Sequence, residues 1–139
     1  MATTLLQPKT TKMSSCPFCN PDKSKVILAN DLATAIPDDF PVTPGHTLII
    51  PKRHISSFFE TNREEQAALL DLLAEMRQSL FEERNPDGFN IGINDGVAAG
   101  QTVMHLHIHL IPRYSGDTED PRGGVRWIMP EKAPYWKKL

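Results

Sequence analysis

Only two cysteines occur in the 139 residues, Cys16 and Cys19, with two residues between them. A single pair so close in sequence makes a poor disulfide framework, which leaves a metal half-site or a redox pair. No apolar run approaches the ~18 residues that a membrane span needs. The net charge is only −2, too little for a broad electrostatic footprint toward nucleic acid or acidic membranes. A small phosphate-bearing ligand held by local groups is compatible with that balance. No internal repeat is visible. Residues 1–15 are polar and Thr/Lys-rich, without the apolar core of a secretion signal. They read as a flexible leader (1–14) on a cytoplasmic protein. With 40% hydrophobic and 23% charged residues, the chain has the composition of a soluble globular protein, and 15–139 reads as one domain. Within it, 113–139 forms a C-terminal tail.

Short apolar runs at 26–29 and 33–36 flank Asn30-Asp31 and predict a hairpin. A connection carrying Pro37, Pro41 and Pro44 leads to a strand over 47–50, stopped by Pro51. The clearest element is a helix. Thr61 or Asn62 caps it, and Glu64 and Glu65 face its N-terminal dipole. Leu69, Leu73, Met76 and Leu80 recur at helical spacing, with Leu70, Leu72 and Phe81 widening the stripe; Asn85-Pro86 ends it. Phe89, Ile91 and Ile93 then alternate with polar or small residues as a strand. A loop over 95–101 feeds a last strand over 104–112. Several short strands with one long helix indicate an α+β domain with a mainly antiparallel, five-stranded sheet.

All five histidines fall in two segments: His46 and His54 in one, His105, His107 and His109 in the other. On a strand, side chains alternate, so His105, His107 and His109 share a face while Leu106, Ile108 and Leu110 face the core. Three polar rings on one face of a core strand are costly unless solvated or partnered. Neighbours on that face lie ~6.6 Å apart along the strand and the outer pair ~13 Å. Two adjacent rings can chelate one metal, but three cannot easily do so. A free neutral imidazole beside a phosphate is a natural nucleophile or acid–base. A catalytic metal on His105 and His107 is the rival reading. Cys16-x-x-Cys19 has a spacing common in structural zinc sites, where two histidines would complete a tetrahedron. No βαβ pattern supports a thioredoxin-like pair.

The stretch Gly100-Gln101-Thr102-Val103-Met104-His105-Leu106-His107-Ile108-His109-Leu110-Ile111 resembles the signature of the histidine triad (HIT) superfamily, His-φ-His-φ-His-φ-φ with φ apolar. Pro112-Arg113 and the preceding Gly-Gln-Thr-Val are similar to the branch of diadenosine polyphosphate hydrolases. Pro44-Gly45-His46-Thr47-Leu48-Ile49-Ile50-Pro51-Lys52-Arg53-His54 is similar to the family's second landmark. Cys16-Pro-Phe-Cys19 resembles the cysteine pair of its zinc-bearing bacterial members. The resemblance spans about Cys16 to Arg113.

It implies a HIT-like fold and a nucleotide hydrolase. Such an enzyme cleaves dinucleoside polyphosphates or nucleoside phosphoramidates at the α-phosphate through a covalent nucleotidyl-histidine on His107. A nucleotidyltransferase or phosphorylase would use the same intermediate; loss of the chemistry would leave a nucleotide-binding module. By the same resemblance, His109 contacts phosphate and helps orient the site, and His46 lies near the triad. Asn94 and Gln101 bind phosphate and the departing group. Thr102 cradles phosphate, and Asp38 takes the ribose hydroxyls. Structural Zn2+ is held by Cys16, Cys19, His54 and His105, with no catalytic cofactor. A homodimer extending the sheet is expected. Lys52 and Arg53 read as solvated charges. Two readings stand for the tail, whose Trp127, Trp136, Arg122, Arg126 and Tyr135 either close over a base or pin the tail to the body or a second subunit.

Overall fold

The computed structural model describes residues 15–139; the leader assigned to 1–14 lies outside the described residues. Five strands form one antiparallel sheet: β1 (Leu28–Ala29), β2 (Ala33–Pro37), β3 (Thr47–Pro51), β4 (Gly88–Gly92) and β5 (Ile108–Arg113), in the order β1-β2-β3-β5-β4. A single helix, α1 (Arg63–Arg84), crosses one face. The α+β reading and the five-stranded sheet with one long helix therefore hold. Among the described residues, no helix is long and apolar enough to cross a membrane.

The β1–β2 connection is fixed locally. Asn30 Oδ1 accepts the backbone N–H groups of Leu32 and Ala33, the side-chain turn that asparagine favours. Asn62 caps α1 through a full capping box, its side chain accepting from Glu65 N while the Glu65 carboxylate accepts from Asn62 N. Asn85 ends the helix in the left-handed region, with φ 48°, where asparagine is tolerated.

The core lies between α1 and the sheet. Leu69, Leu72, Met76 and Leu80 from the helix pack on Ala33, Ala35, Ile49, Leu106, Ile108 and Leu110. Two helix residues expected in this stripe depart from it: Leu70 is 53% and Phe81 43% exposed. The helix needs only the narrower strip to cover a small sheet, and the Arg77 guanidinium stacks over Phe81 and Phe89 instead. The opposite sheet face carries a smaller cluster of Ile36, Leu48 and Ile50 against Phe18 and Val26.

Two strand boundaries near the histidines differ from expectation. The last strand begins at Ile108, not at residue 104, because its ladder with β3 ends at the pair Ile49–Ile108. The chain before it bends at 103–105 and is held otherwise: Leu106 N–H donates to Ile55 O at 2.7 Å. The alternation survives, since Leu106, Ile108 and Leu110 all enter the core. The strand beginning at Gly88 stops at Gly92, which leaves Ile93 and Asn94 outside the sheet.

Candidate active site and metal centre

The sheet face away from α1 builds the site. Register sets Ile36 beside Leu48, Leu48 beside His109, and His109 beside Gly92, one row across four strands. An apolar floor thus runs directly up to His109. Over it opens a cavity of about 550 Å³, walled by Phe18, Ile36, Leu48 and Val103, and rimmed by Asp38, His46, Asn94, Thr102, His107 and His109. That volume suits a small organic ligand.

The proton positions of the three pocket histidines follow from their partners. His107 is 8% exposed. Its Nδ1–H donates to the His105 carbonyl at 2.8 Å, which leaves Nε2 with a free lone pair. Val42 N–H donates to His46 Nδ1 at 3.0 Å, so the neutral His46 ring carries its proton on Nε2. That proton is donated to His109 Nδ1 at 2.9 Å, and His109 must carry its own on Nε2. The Asp38 carboxylate flanks the chain, 3.4 Å from His46 Nε2 and 3.9 Å from His109 Nδ1. Burial first, then the neighbouring His107 and His46, lower the His109 pKa to about 4. Burial also lowers that of His46, against the pull of Asp38. Near neutral pH His46 and His109 are therefore neutral, and the pocket presents the unpartnered Nε2 of His107 beside an N–H donor on His109. Asp38, His46 and His109 are close enough together to suggest a metal set. A cation on His46 Nε2 would need the proton moved to Nδ1, against the Val42 N–H; the two histidines are a hydrogen-bonded pair with the Asp38 carboxylate beside them.

The second cluster has the opposite character. His105 is fully buried, and its Nε2–H donates to Pro51 O at 2.8 Å. Its bare Nδ1 lies 3.4 Å from Cys16 Sγ, 3.6 Å from Cys19 Sγ and 3.2 Å from His54 Nδ1. Cys19 Sγ and His54 Nδ1 are 3.0 Å apart. Bonds of about 2.0–2.3 Å in a zinc tetrahedron put ligand atoms about 3.3–3.8 Å from one another. The two Cys–His105 distances fall in that range, the two made by His54 are a few tenths of an ångström shorter, and all four ligand atoms lie within 4.8 Å of one another; the carbonyl behind His105 is the outer-shell partner that fixes a ligand's tautomer. Burial, then the hydrogen bond and charge of Cys16, push the Cys19 thiol up to about 11; a bound divalent cation would reverse this. His105 faces this cluster and His107 does not, so the two do not form a shared metal site.

The remaining expected residues divide. Asp38 and Asp39 both line the pocket; Asp38 lies beside His46 and His109, whereas Asp39 pairs with Lys25 at 3.4 Å. Asn94 and Thr102 line it, both exposed. Gln101 does not: it is 3% exposed, its Oε1 accepts from Gly96 N, and its Nε2 donates to Ser56 O and Val103 O. Its amide shapes the 96–103 loop. Arg53, read as a solvated charge, is exposed and also forms a bidentate pair with the buried Glu65 at 2.7 and 3.0 Å; it fastens the segment bearing His54 to the start of α1. Trp127 and Trp136 stay clear of the pocket lining. Trp127 Nε1 donates to Arg122 O, and Arg122 stacks over Trp136 at 4.4 Å, so the tail folds on itself.

Two residues escaped the sequence reading. Phe18 packs on His107, ring centroids 5.1 Å apart, and Val42 supplies the N–H that sets the histidine chain. Phe18 had a signal, since it lies between the two cysteines. Val42 had none, because a backbone donor leaves no mark in the side-chain pattern.

The family profile described as HIT domain matches residues 20–116. The chain is 40% identical over 113 residues to the bis(5'-adenosyl)-triphosphatase of Dictyostelium discoideum, covering 81% of this chain and 75% of the relative. It is 39% identical over 105 residues to an uncharacterized HIT-like protein of Mycoplasma genitalium, covering 73% and 74%. A Zn-bound histidine triad family protein from Mycobacterium smegmatis superposes with a TM-score of 0.68 at 32% identity, covering 92% of this chain and all of that one.

Proposed function

The chain belongs to the HIT domain family, and from that premise we propose that it is a nucleotide hydrolase acting through a covalent nucleotidyl-histidine on His107. The observation that carries this reading is the pair of assigned protons. His107 Nε2 offers a lone pair while its Nδ1–H is held by His105 O, and His109 offers an N–H in the same pocket. A neutral imidazole attacks without first losing a proton. Its Nε2 forms a bond to the α-phosphorus, and the bond to the bridging oxygen breaks. The departing group takes that electron pair. Water then attacks the phosphorus, His107 leaves with the N–P electrons, and a proton is released. His109 Nε2–H, the Asn94 amide and the Thr102 hydroxyl donate to the phosphoryl oxygens as charge develops. Among the described residues Lys25 is the one lysine or arginine lining the pocket, so these neutral donors carry the task. Asp38 accepts from ribose hydroxyls, and the apolar floor of Ile36, Leu48 and Phe18 receives the base.

Cys16, Cys19, His54 and His105 hold a structural zinc ion in this reading. When bound, the ion ties the Cys16–Cys19 loop, and Phe18 with it, to the wall beside His107. The free edge of β4, paired with no strand among the described residues beyond β5, supports a homodimer. The substrate class we propose is dinucleoside polyphosphates and nucleoside phosphoramidates, with the named triphosphatase relative in support. Incubation with diadenosine triphosphate, with and without inorganic phosphate, tests it. Nucleoside monophosphate in both cases is expected. Nucleoside diphosphate appearing as the sole product, and only with phosphate, would point to phosphorolysis.

A further inference from the structure

The sheet face that carries His109 does not end there. It continues along β5 as Ile111 and Arg113 and along β4 as Asn90. A second opening of about 240 Å³ joins His46, Asn94 and His109 to Asn90, Ile111 and Val125. A third, of about 410 Å³, extends from Val42, Asn90 and Ile111 to Arg113, Thr118 and Val125. Together they make one groove leading away from the pocket, on the side opposite the Phe18–Ile36–Leu48 floor. Its walls are valines from two distant segments, Val42 at 72% and Val125 at 64% exposure, standing over Ile111. Arg113 is committed to Asp117 and Asn90 through three hydrogen bonds. The groove therefore presents apolar sides over Ile111, with Asn90 and the mutually paired Arg113 and Asp117 also in its lining, chemistry that suits a flat heterocycle better than a free phosphate.

We propose that this groove, floored by Ile111 and walled by Val42 and Val125, holds the departing nucleoside of a dinucleoside polyphosphate. Resting on the hydrolase reading above, it assigns the two ends of such a substrate to opposite sides of His107. The kept nucleoside lies over Leu48 and Ile36. The polyphosphate passes His109 and Asn94, and the second nucleoside enters between the valines. A mononucleotide fills only the first half.

The test compares binding of adenosine monophosphate with that of a non-hydrolysable methylene-bridged diadenosine triphosphate, by titration calorimetry, in wild type, Val125→Trp and Thr118→Trp. Both substitutions fill the groove from exposed positions on different segments, so one serves if the other fails to fold. The wild type is expected to prefer the dinucleotide analogue, and each variant to narrow that preference at least tenfold. Equal binding of the two nucleotides by wild type, or a preference unchanged within twofold in the variants, overturns the groove. Turnover of diadenosine triphosphate by wild type is read in parallel. Turnover without the preference defeats the groove alone, and the preference without turnover defeats the hydrolase reading alone.

Discussion

Replacing His46 with leucine tests the proton chain. His46 is 3% exposed and makes two bonds, accepting from Val42 N–H at 3.0 Å and donating to His109 Nδ1 at 2.9 Å. Leucine breaks both, leaving the part-buried Val42 N–H and His109 Nδ1 without their partner and freeing His109 to place its proton on either nitrogen. A buried polar group left unsatisfied costs about 1–3 kcal/mol. If that cost falls on the orientation of His109 in the transition state, it corresponds to a roughly 5- to 150-fold loss in kcat/KM. Glutamine supplies one acceptor and one donor, so His46→Gln should recover most of the loss. Steady-state hydrolysis of diadenosine triphosphate gives the rates, and a urea titration of each variant separates catalysis from folding. A His46→Leu enzyme within twofold of wild type, or a His46→Gln enzyme no better than His46→Leu, would refute the assignment of protons.

Three further outcomes are expected. The His109 pKa of about 4 lies below the ordinary 6.5, so between those values the unfolded chain binds more protons. Its contribution, up to about 3 kcal/mol, is complete above pH 6.5 and lost as pH falls toward 4; urea midpoints across that range should decline, and less steeply in His109→Gln. Wild-type protein should contain one zinc per chain by elemental analysis and Cys19→Ser none, whereas full metal content in the variant would put the ion elsewhere. Glu65→Ala removes the Arg53 pair and half the capping box, a loss of about 2–4 kcal/mol in urea unfolding; a change below about 1 kcal/mol would make the pair ornamental.

Much of this was legible in the sequence because it rests on short-range periodicity. Alternation along 105–110 assigned the leucine and isoleucine side chains to the core and the histidines to the other face, and the capping signal at Asn62 needed only the next three residues. The five-stranded antiparallel sheet followed from the count of short apolar runs. The start of β5 was not legible, since it depends on where β3 stops pairing across the sheet. Helix periodicity alone did not reveal that Leu70 and Phe81 face outward, because the width of the buried strip depends on how much sheet there is to cover. The partners of Gln101 and Arg53 were not legible for a related reason. Their partners, Ser56 and Glu65, lie 45 and 12 residues away, and a polar side chain's destination is set by what the fold brings to it. The bond joining His46 to His109 spans 63 residues, so the tautomers could be assigned only from coordinates.

The central claim is that His107 carries the nucleotidyl group. Rapid acid-free quenching of wild-type enzyme during turnover of diadenosine triphosphate, followed by proteolysis and mass spectrometry, reads it directly. The expected result is one adenylyl group on the peptide containing His107, attached to its Nε2, and no such adduct in His107→Ala. An adduct on His109 or His46, or full turnover by His107→Ala, would contradict it.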